Sequence, residues 1–263
     1  SGKVWVYDAV TDQWDTRAEK PTPVQSAEAA LVGEKIYVPG GLNAAGNALN
    51  ILEIYDPRSD SWESGASIPS DMGGYALTTY EGRLFLFGGW NGKKFSSSVY
   101  AYDPIGDVWT VLPEMKEARA WACAAVIGSK IYLVGGENEE GVLSDTLAFY
   151  PDRLDDVDTS WEARADLPSG RKMAALTSLA GSLYLAGGVD ANNNVSLPFL
   201  KYDEINNRWE ELDESGNAAG EQLSVIALDT RIHLFGGSFQ GNGQTSHTAF
   251  QAIYTVLIPA ISR

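Results

Sequence analysis

One pattern of apolar and polar positions returns five times along the chain. Residues 130–136 read KIYLVGG, and KIYVPGG (35–41), RLFLFGG (83–89), SLYLAGG (182–188) and RIHLFGG (231–237) repeat it. The first glycine of each pair falls at 40, 88, 135, 187 or 236, so the spacings are 48, 47, 52 and 49. Self-similarity at such a period marks radial or linear repeats of one supersecondary unit. Each run is apolar at almost every position, which suits a strand covered on both faces. The glycine pair ends the strand where no side chain is wanted, for positive φ or for close backbone approach.

A second recurring pattern lies between these runs. KVWVYD (3–8) with Gln13-Trp14 after it, ILEIYDPRSDSW (51–62), VYAYDPIGDVW (99–109) and FLKYDEINNRW (199–209) each read as two strands joined by a turn. Aspartate followed by proline, in Asp56-Pro57 and Asp103-Pro104, is the chemistry of a tight hairpin. A variant, AFYPDRLDDVDTSW (148–161), carries a longer acidic loop. Trp14, Trp62, Trp109, Trp161 and Trp209 keep the period, which predicts packing between units. One further apolar strand precedes each glycine strand, at 27–32, 75–79, 122–127, 174–179 and 223–228. Most of these lead through a glycine turn (Gly33, Gly82, Gly128, Gly181). The unit therefore has four strands, a to d, with b ending in Gly-Gly and d carrying tryptophan. No helical periodicity occurs, so the prediction is an all-β chain of four-stranded antiparallel β-propeller blades.

Apolar strand, Gly-Gly, a tyrosine about 14 residues later and a tryptophan six or seven beyond it in most units resembles the kelch repeat. The resemblance runs through essentially the whole chain; the fourth unit departs, with Trp161 eleven residues beyond Tyr150. It implies a propeller with strand a innermost and d outermost. Counting strands predicts six blades with an incomplete first one, and the alternative is five, closed by the N-terminal strands. The repeat runs end to end without a linker, so residues 1–263 are expected to form a single domain.

Composition narrows the functions. A hydrophobic content of 44% with 27 glycines fits a turn-rich globular protein. The formal net charge of −16 argues against binding nucleic acid or an anionic membrane through a basic surface. The one cysteine, Cys123, allows no internal disulfide and no cysteine-based zinc cluster. No apolar stretch approaches the ~18 residues that span a bilayer. The repeat begins mid-unit at Ser1, which predicts a removed leader or further sequence upstream and, with the acidic charge, tilts the expectation towards an extracellular or periplasmic protein. The expected partner is a protein or glycan, with no nucleic acid, no membrane insertion, no cofactor and a monomeric chain.

Strands a and b run antiparallel, so residues just before a and just after Gly-Gly meet at one face. In kelch domains that this chain resembles, those loops line the mouth of the central channel and carry ligands. Fourteen residues before each glycine pair stand Ser26, Gly74, Trp121, Met173 and Gln222; directly after it come Leu42, Trp90, Glu137, Val189 and Ser238. Nearby polar groups are Glu28, Asn91, Asn138, Asp190 and Gln240. This rim varies while the scaffold repeats, and loops free to vary on a rigid frame are where binding resides. The candidate binding residues are Trp90, Asn91, Trp121, Glu137, Asn138, Met173, Asp190, Gln222, Ser238 and Gln240. Trp90 and Trp121 lie outside the once-per-blade series, and as aromatics from adjacent blades they could stack on a sugar or a peptide side chain.

Other features have plainer readings. Arg119 and Arg171 occupy equivalent places, and hydrogen bonding to neighbouring turns accounts for them. Asp152, Asp155, Asp156 and Asp158 read as a solvated insertion, without the glycine and closing glutamate of a calcium loop. Asn194-Val195-Ser196 is a glycosylation sequon. Of enzymes with similar propellers, galactose-oxidase-type copper chemistry needs more ligands than His233 and His247 supply. A sialic-acid-mutarotase-like isomerase is the alternative function, with Glu28, Glu137, Arg119 or Arg171 recruited for acid–base chemistry. The leading expectation is a non-catalytic binding module.

Overall fold

The structure, a computed structural model, describes residues 2–8, 11, 13–154, 157–195, 198–212, 220, 223–239, 242–243 and 247–252. The chain packs as two compact units, Ser1–Lys172 and Met173–Arg263. No helix among the described residues is long and apolar enough to cross a membrane.

The first unit opens with a hairpin, β1 (Val4–Asp8) and β2 (Gln13–Arg17), which forms a two-stranded sheet. A four-stranded sheet follows: β3 (Ala30–Val32), β4 (Lys35–Pro39), β5 (Leu52–Asp56) and β6 (Ser61–Gly65). The next is β7 (Ala76–Tyr80), β8 (Arg83–Phe87), β9 (Val99–Asp103) and β10 (Val108–Leu112). In the third, β11 (Cys123–Ile127) and β12 (Lys130–Val134) are followed by a short rim hairpin, β13 (Glu137–Asn138) and β14 (Gly141–Val142). The sheet then resumes with β15 (Thr146–Phe149) and, after the single-turn helix α1 (Val157–Ser160), β16 (Trp161–Arg164).

The second unit repeats the plan with β17 (Ala175–Leu179), β18 (Ser182–Ala186), β19 (Leu200–Asp203) and β20 (Arg208–Glu211). Its other sheet takes β21 (Ser224–Leu228), β22 (Arg231–Phe235) and β25 (His247–Gln251), with β23 (Ser238–Phe239) and β24 (Asn242–Gly243) as a rim hairpin between them. Within each blade, neighbours in sequence pair antiparallel. Among the described residues five sheets begin with an a–b pair, which makes five blades, the alternative of the two sequence readings. The N-terminal hairpin forms a two-stranded sheet without an a–b pair among the described residues.

Two-sided burial explains the continuous apolar runs. In β8, Leu84 and Leu86 point into one core with Tyr37, Leu52 and Ile54 of the first sheet. Phe85 and Phe87, on the opposite face, enter a second core with Ile131, Leu133 and Phe149 of the third sheet. Successive strand side chains alternate sides, so a blade between two others needs apolar residues at every position. In the second unit Tyr184, Ala186 and Phe199 meet Ile232 and Leu234 in the same way.

The recurring tyrosine and tryptophan build a clasp at the outer edge. Tyr102 donates its hydroxyl to Asp107 Oδ1 at 2.7 Å, and the same oxygen accepts the Ala66 N–H at 2.6 Å. Trp109 donates its indole N–H to the Ala66 carbonyl at 2.8 Å. One blade earlier the pattern is identical: Tyr55 to Asp60 (2.7 Å), Ala18 N–H to Asp60 (2.8 Å) and Trp62 to the Ala18 carbonyl (2.9 Å). Asp60 and Asp107 both sit at φ 48°, a left-handed turn position that a short polar side chain tolerates. These bonds hold both carboxyls below the usual carboxylate range, led by the Ala18 N–H for Asp60 and by the Tyr102 hydroxyl for Asp107. The third sheet departs. Trp161 reaches the Pro113 carbonyl at 3.3 Å, proline has no N–H to clasp, and Tyr150 turns its hydroxyl to Glu162. The insertion that lengthened the Tyr150–Trp161 spacing replaced the turn aspartate.

Candidate functional site

The rim is built by the glycine pairs. Gly88 and Gly89 both have positive φ (62° and 115°), and a Cβ on Gly88 would lie 2.3 Å from the Arg119 carbonyl oxygen. That carbonyl, from the loop entering the next blade, accepts the Gly89 N–H at 2.8 Å. Both sequence-based reasons for the pair, left-handed backbone and close approach, hold at once. The chain after Gly-Gly is thereby locked against the loop before the neighbouring strand a.

A second ladder runs through the residues fourteen before each pair. Ser26, Gly74 and Trp121 all adopt left-handed φ (51°, 63° and 54°). The Gly74 N–H donates to the Ser26 carbonyl at 2.7 Å, and the Trp121 N–H to the Gly74 carbonyl at 2.5 Å. Backbone thus stitches successive blades here, and side chains are free to differ.

On this frame the predicted aromatics come together. Trp90 and Phe95 are bridge partners across the tip of the loop, with ring centroids 5.1 Å apart at 66°. Phe95 meets Trp121 edge to face, at 6.2 Å and 82°. All three rings are half-buried. The Trp121 indole lies over Gly74, where a Cβ would come within 2.8 Å of Nε1, and that buried N–H has no acceptor. Sequence reasoning found the two tryptophans but missed Phe95, which joins them. Its signal was present in the hairpin character of WNGKKF, with glycine at the tip.

The polar candidates cap their own loops. Asn91 Oδ1 accepts the Lys93 and Lys94 N–H groups at 3.0 and 2.9 Å, and Asn138 Oδ1 accepts those of Glu140 and Gly141 at 2.9 and 3.2 Å. Asn43 holds its own loop in the same manner. In the second unit Asp190 accepts the Asn192 and Asn194 N–H groups and the Asn194 side-chain amide, all at 2.8 Å, and the Asn194 amide leads in holding its carboxyl below the ordinary range. The second residue after each of four glycine pairs is therefore a loop cap. The rim repeats at that position, contrary to the sequence reading, and varies at the first.

Charged groups at the rim of the first unit pair in two places. Glu137, whose backbone bridges Ala120, forms an ion pair with Lys172, and both side chains are about 20% exposed. Arg119 is buried and grips Asp145 with two bonds of 2.7 Å while reaching the Gly135 carbonyl at 3.2 Å. That is the structural role expected of it, and it leaves Arg119 engaged elsewhere than with Glu28 or Glu137. Arg171 is likewise buried, and its backbone carbonyl accepts the Gly136 N–H. Glu28 accepts the Leu77 N–H at 2.8 Å beside the Tyr75 hydroxyl, and burial pushes its carboxyl up to about 8 against the pull of that bond. Cys123 is a core residue whose thiol burial pushes far above its ordinary range.

In the second unit Met173 is half-buried at φ 55°, the counterpart of Trp121 in its blade, and Val189 is buried. Ser238 begins β23. Gln222 and Gln240 lie outside the described residues, as do Asp155, Asp156 and Ser196. His233 and His247 face each other at 2.9 Å on paired strands. Among the described residues no three histidine, cysteine or carboxylate groups are placed to hold a metal.

Comparison with known proteins agrees with this geometry. A family model described as the KLHDC2/KLHL20/DRC7 Kelch-repeats domain matches residues 1–188. Beta-scruin of Limulus polyphemus is 31% identical over 194 residues, which is 70% of this chain and 21% of the scruin. Kelch-like protein 35 of Mus musculus is 24% identical over 91% of this chain and 39% of its own length, and Kelch-like protein terF of Aspergillus terreus is 28% identical over 87% and 52%. The chain spans between about a fifth and about half of these relatives. Glycine locks, edge clasps and a family match over residues 1–188 converge on one conclusion: the chain belongs to the kelch-repeat family.

Proposed function

We propose that this chain is a non-catalytic protein-binding module whose ligand sits on the rim, against Trp90, Phe95 and Trp121. The observation that carries this reading is the half-exposed aromatic trio, contributed by two adjacent blades and held on backbone that the glycine locks fix. Aromatic anchors in a preorganised surface supply most of the energy of protein interfaces, typically with ~2 kcal/mol or more lost on truncating one. The Glu137–Lys172 pair gives the rim polar groups of both signs, as an interface margin has. Kelch relatives being interaction modules is consistent with this use of the fold. The net charge of −16 fits a protein partner rather than nucleic acid. Arg119 being bound to Asp145 removes one arginine from the acid–base constellation that the isomerase alternative would require.

A displayed peptide library selected on the wild-type chain tests the proposal. Peptides that bind wild type and lose roughly tenfold or more affinity for Trp90→Ala and Phe95→Ala are expected. Peptides that bind all three chains alike would remove the rim from the account. A glycan array probed in parallel would replace the protein ligand with a sugar if only glycans gave signals that the same variants abolish.

A further inference from the structure

The outermost strand of each complete blade has one edge that no strand of its own sheet covers. Charged side chains commonly guard such edges against pairing with another chain. The tryptophan-bearing strands mostly follow that rule: β2 carries Asp15 and Arg17, β6 carries Glu63, β16 carries Glu162 and Arg164, and β20 carries Arg208, Glu210 and Glu211. β10 reads Val108-Trp109-Thr110-Val111-Leu112 and has no charge at all. Leu112 is buried in the core, whereas Val108 and Val111 are 50% and 64% exposed. Thr110 is exposed, and Ile105 on the turn before the strand is 98% exposed.

We propose that β10 is a self-association edge, pairing antiparallel with β10 of a second copy of this chain in a register centred on Thr110. Charge selects the occupant. Two copies at −16 repel each other over most of their surfaces, so contact is favoured at an edge strand that carries no charge of its own. A two-fold contact sets the same patch against itself. Centred antiparallel pairing of β6 or β2, which are also five residues long, would put Glu63 opposite Glu63 or Asp15 opposite Asp15. Like charges directly opposite are destabilising. On β10 the same operation puts Thr110 opposite Thr110, Trp109 opposite Val111 and Val108 opposite Leu112. Threonine pairs and aromatic–β-branched pairs are favourable cross-strand combinations. A five-residue strand pair is a small interface, so the association is weak and concentration-dependent. It departs from the monomer that the sequence suggested, and it uses the outer edge, leaving the rim open.

Sedimentation velocity over a concentration series, up to roughly millimolar chain, tests it. Wild type should move from one copy towards two as concentration rises. Thr110→Lys and Thr110→Asp should each stay single, since each sets a charge opposite itself, and an equimolar mixture of the two should associate again. Ser64→Lys on β6 should behave as wild type. Melting temperatures near wild type for the exposed Thr110 variants keep a folding defect apart from a lost interface. Wild type remaining single throughout, variants associating like wild type, or a mixture that stays single would each overturn the proposal.

Discussion

At the outer edge around β6 and β10, an aspartate and a tryptophan bond one alanine, and a tyrosine bonds the aspartate, in the same geometry twice over. At the rim of these two blades and the next, the residue after each glycine pair is Leu42, Trp90 or Glu137, and the three do different things. Leu42 is buried against Gly73, Trp90 packs on Phe95, and Glu137 pairs with Lys172. The difference follows from what holds each place. Side chains make the clasp, so changing one breaks it. At the rim, backbone does the joining through the glycine locks and the left-handed ladder of Ser26, Gly74 and Trp121. The first side chain after each glycine pair is thereby free to differ from blade to blade.

The largest effect should come from damaging the lock between the two regimes. Arg119→Met removes the buried partner of Asp145, whose carboxylate is 31% exposed, together with the bond to the Gly135 carbonyl, with an expected cost of about 2–3 kcal/mol in chemical denaturation. A cost below about 1 kcal/mol would mean that Arg119 does not hold the loop behind Gly135.

Next in size, the clasp itself can be graded. Trp109→Phe keeps the packing on Tyr102 and deletes the 2.8 Å bond to the Ala66 carbonyl, an expected loss of about 1 kcal/mol or more. Trp161→Phe deletes only a 3.3 Å bond to Pro113 and should cost clearly less. Equal losses would show that ring volume, not the indole N–H, explains why tryptophan recurs.

A smaller effect should appear with pH. Glu28 titrates near 4.5 when unfolded and about 8 when folded, so between those values the unfolded chain has released a proton that the folded one keeps. Its contribution to stability is therefore complete below about 4.5, falls as pH rises towards 8 and is gone above it. Tyr75 before β7 and Cys123 on β11 are titratable neighbours, and both have pKa values raised by burial first and by the Glu28 charge second. Melting temperatures of wild type and Glu28→Gln across this window should converge at low pH and separate at high pH, with the variant the flatter. Parallel curves would place the carboxyl in water.

Much of the fold was legible because its signals are local and repeated. RLFLF alternates leucine and phenylalanine because two cores flank β8, and the glycine pairs mark both a left-handed turn and a close carbonyl. Strand c and d positions followed from the Tyr…Trp spacing. The blade count was harder, since the hairpin β1–β2 has the sequence of a blade's second half without the a–b pair that makes a blade. At the site, the pairing partners were illegible. Lys172 lies 35 residues from Glu137, and Phe95 lies 26 from Trp121, distances across which sequence says nothing of contact. The polarity of Asn91 and Asn138 was visible in the sequence, whereas the loop amides they cap were not.

The most direct test of the division between scaffold and rim measures stability and binding on one variant. Trp90→Ala removes a half-buried rim side chain that makes no clasp and no lock. Its unfolding free energy should stay within about 1 kcal/mol of wild type, while its affinity for a peptide selected on the wild-type chain falls roughly tenfold or more. Unchanged affinity, or a loss of binding that only follows a loss of folding, would contradict the account.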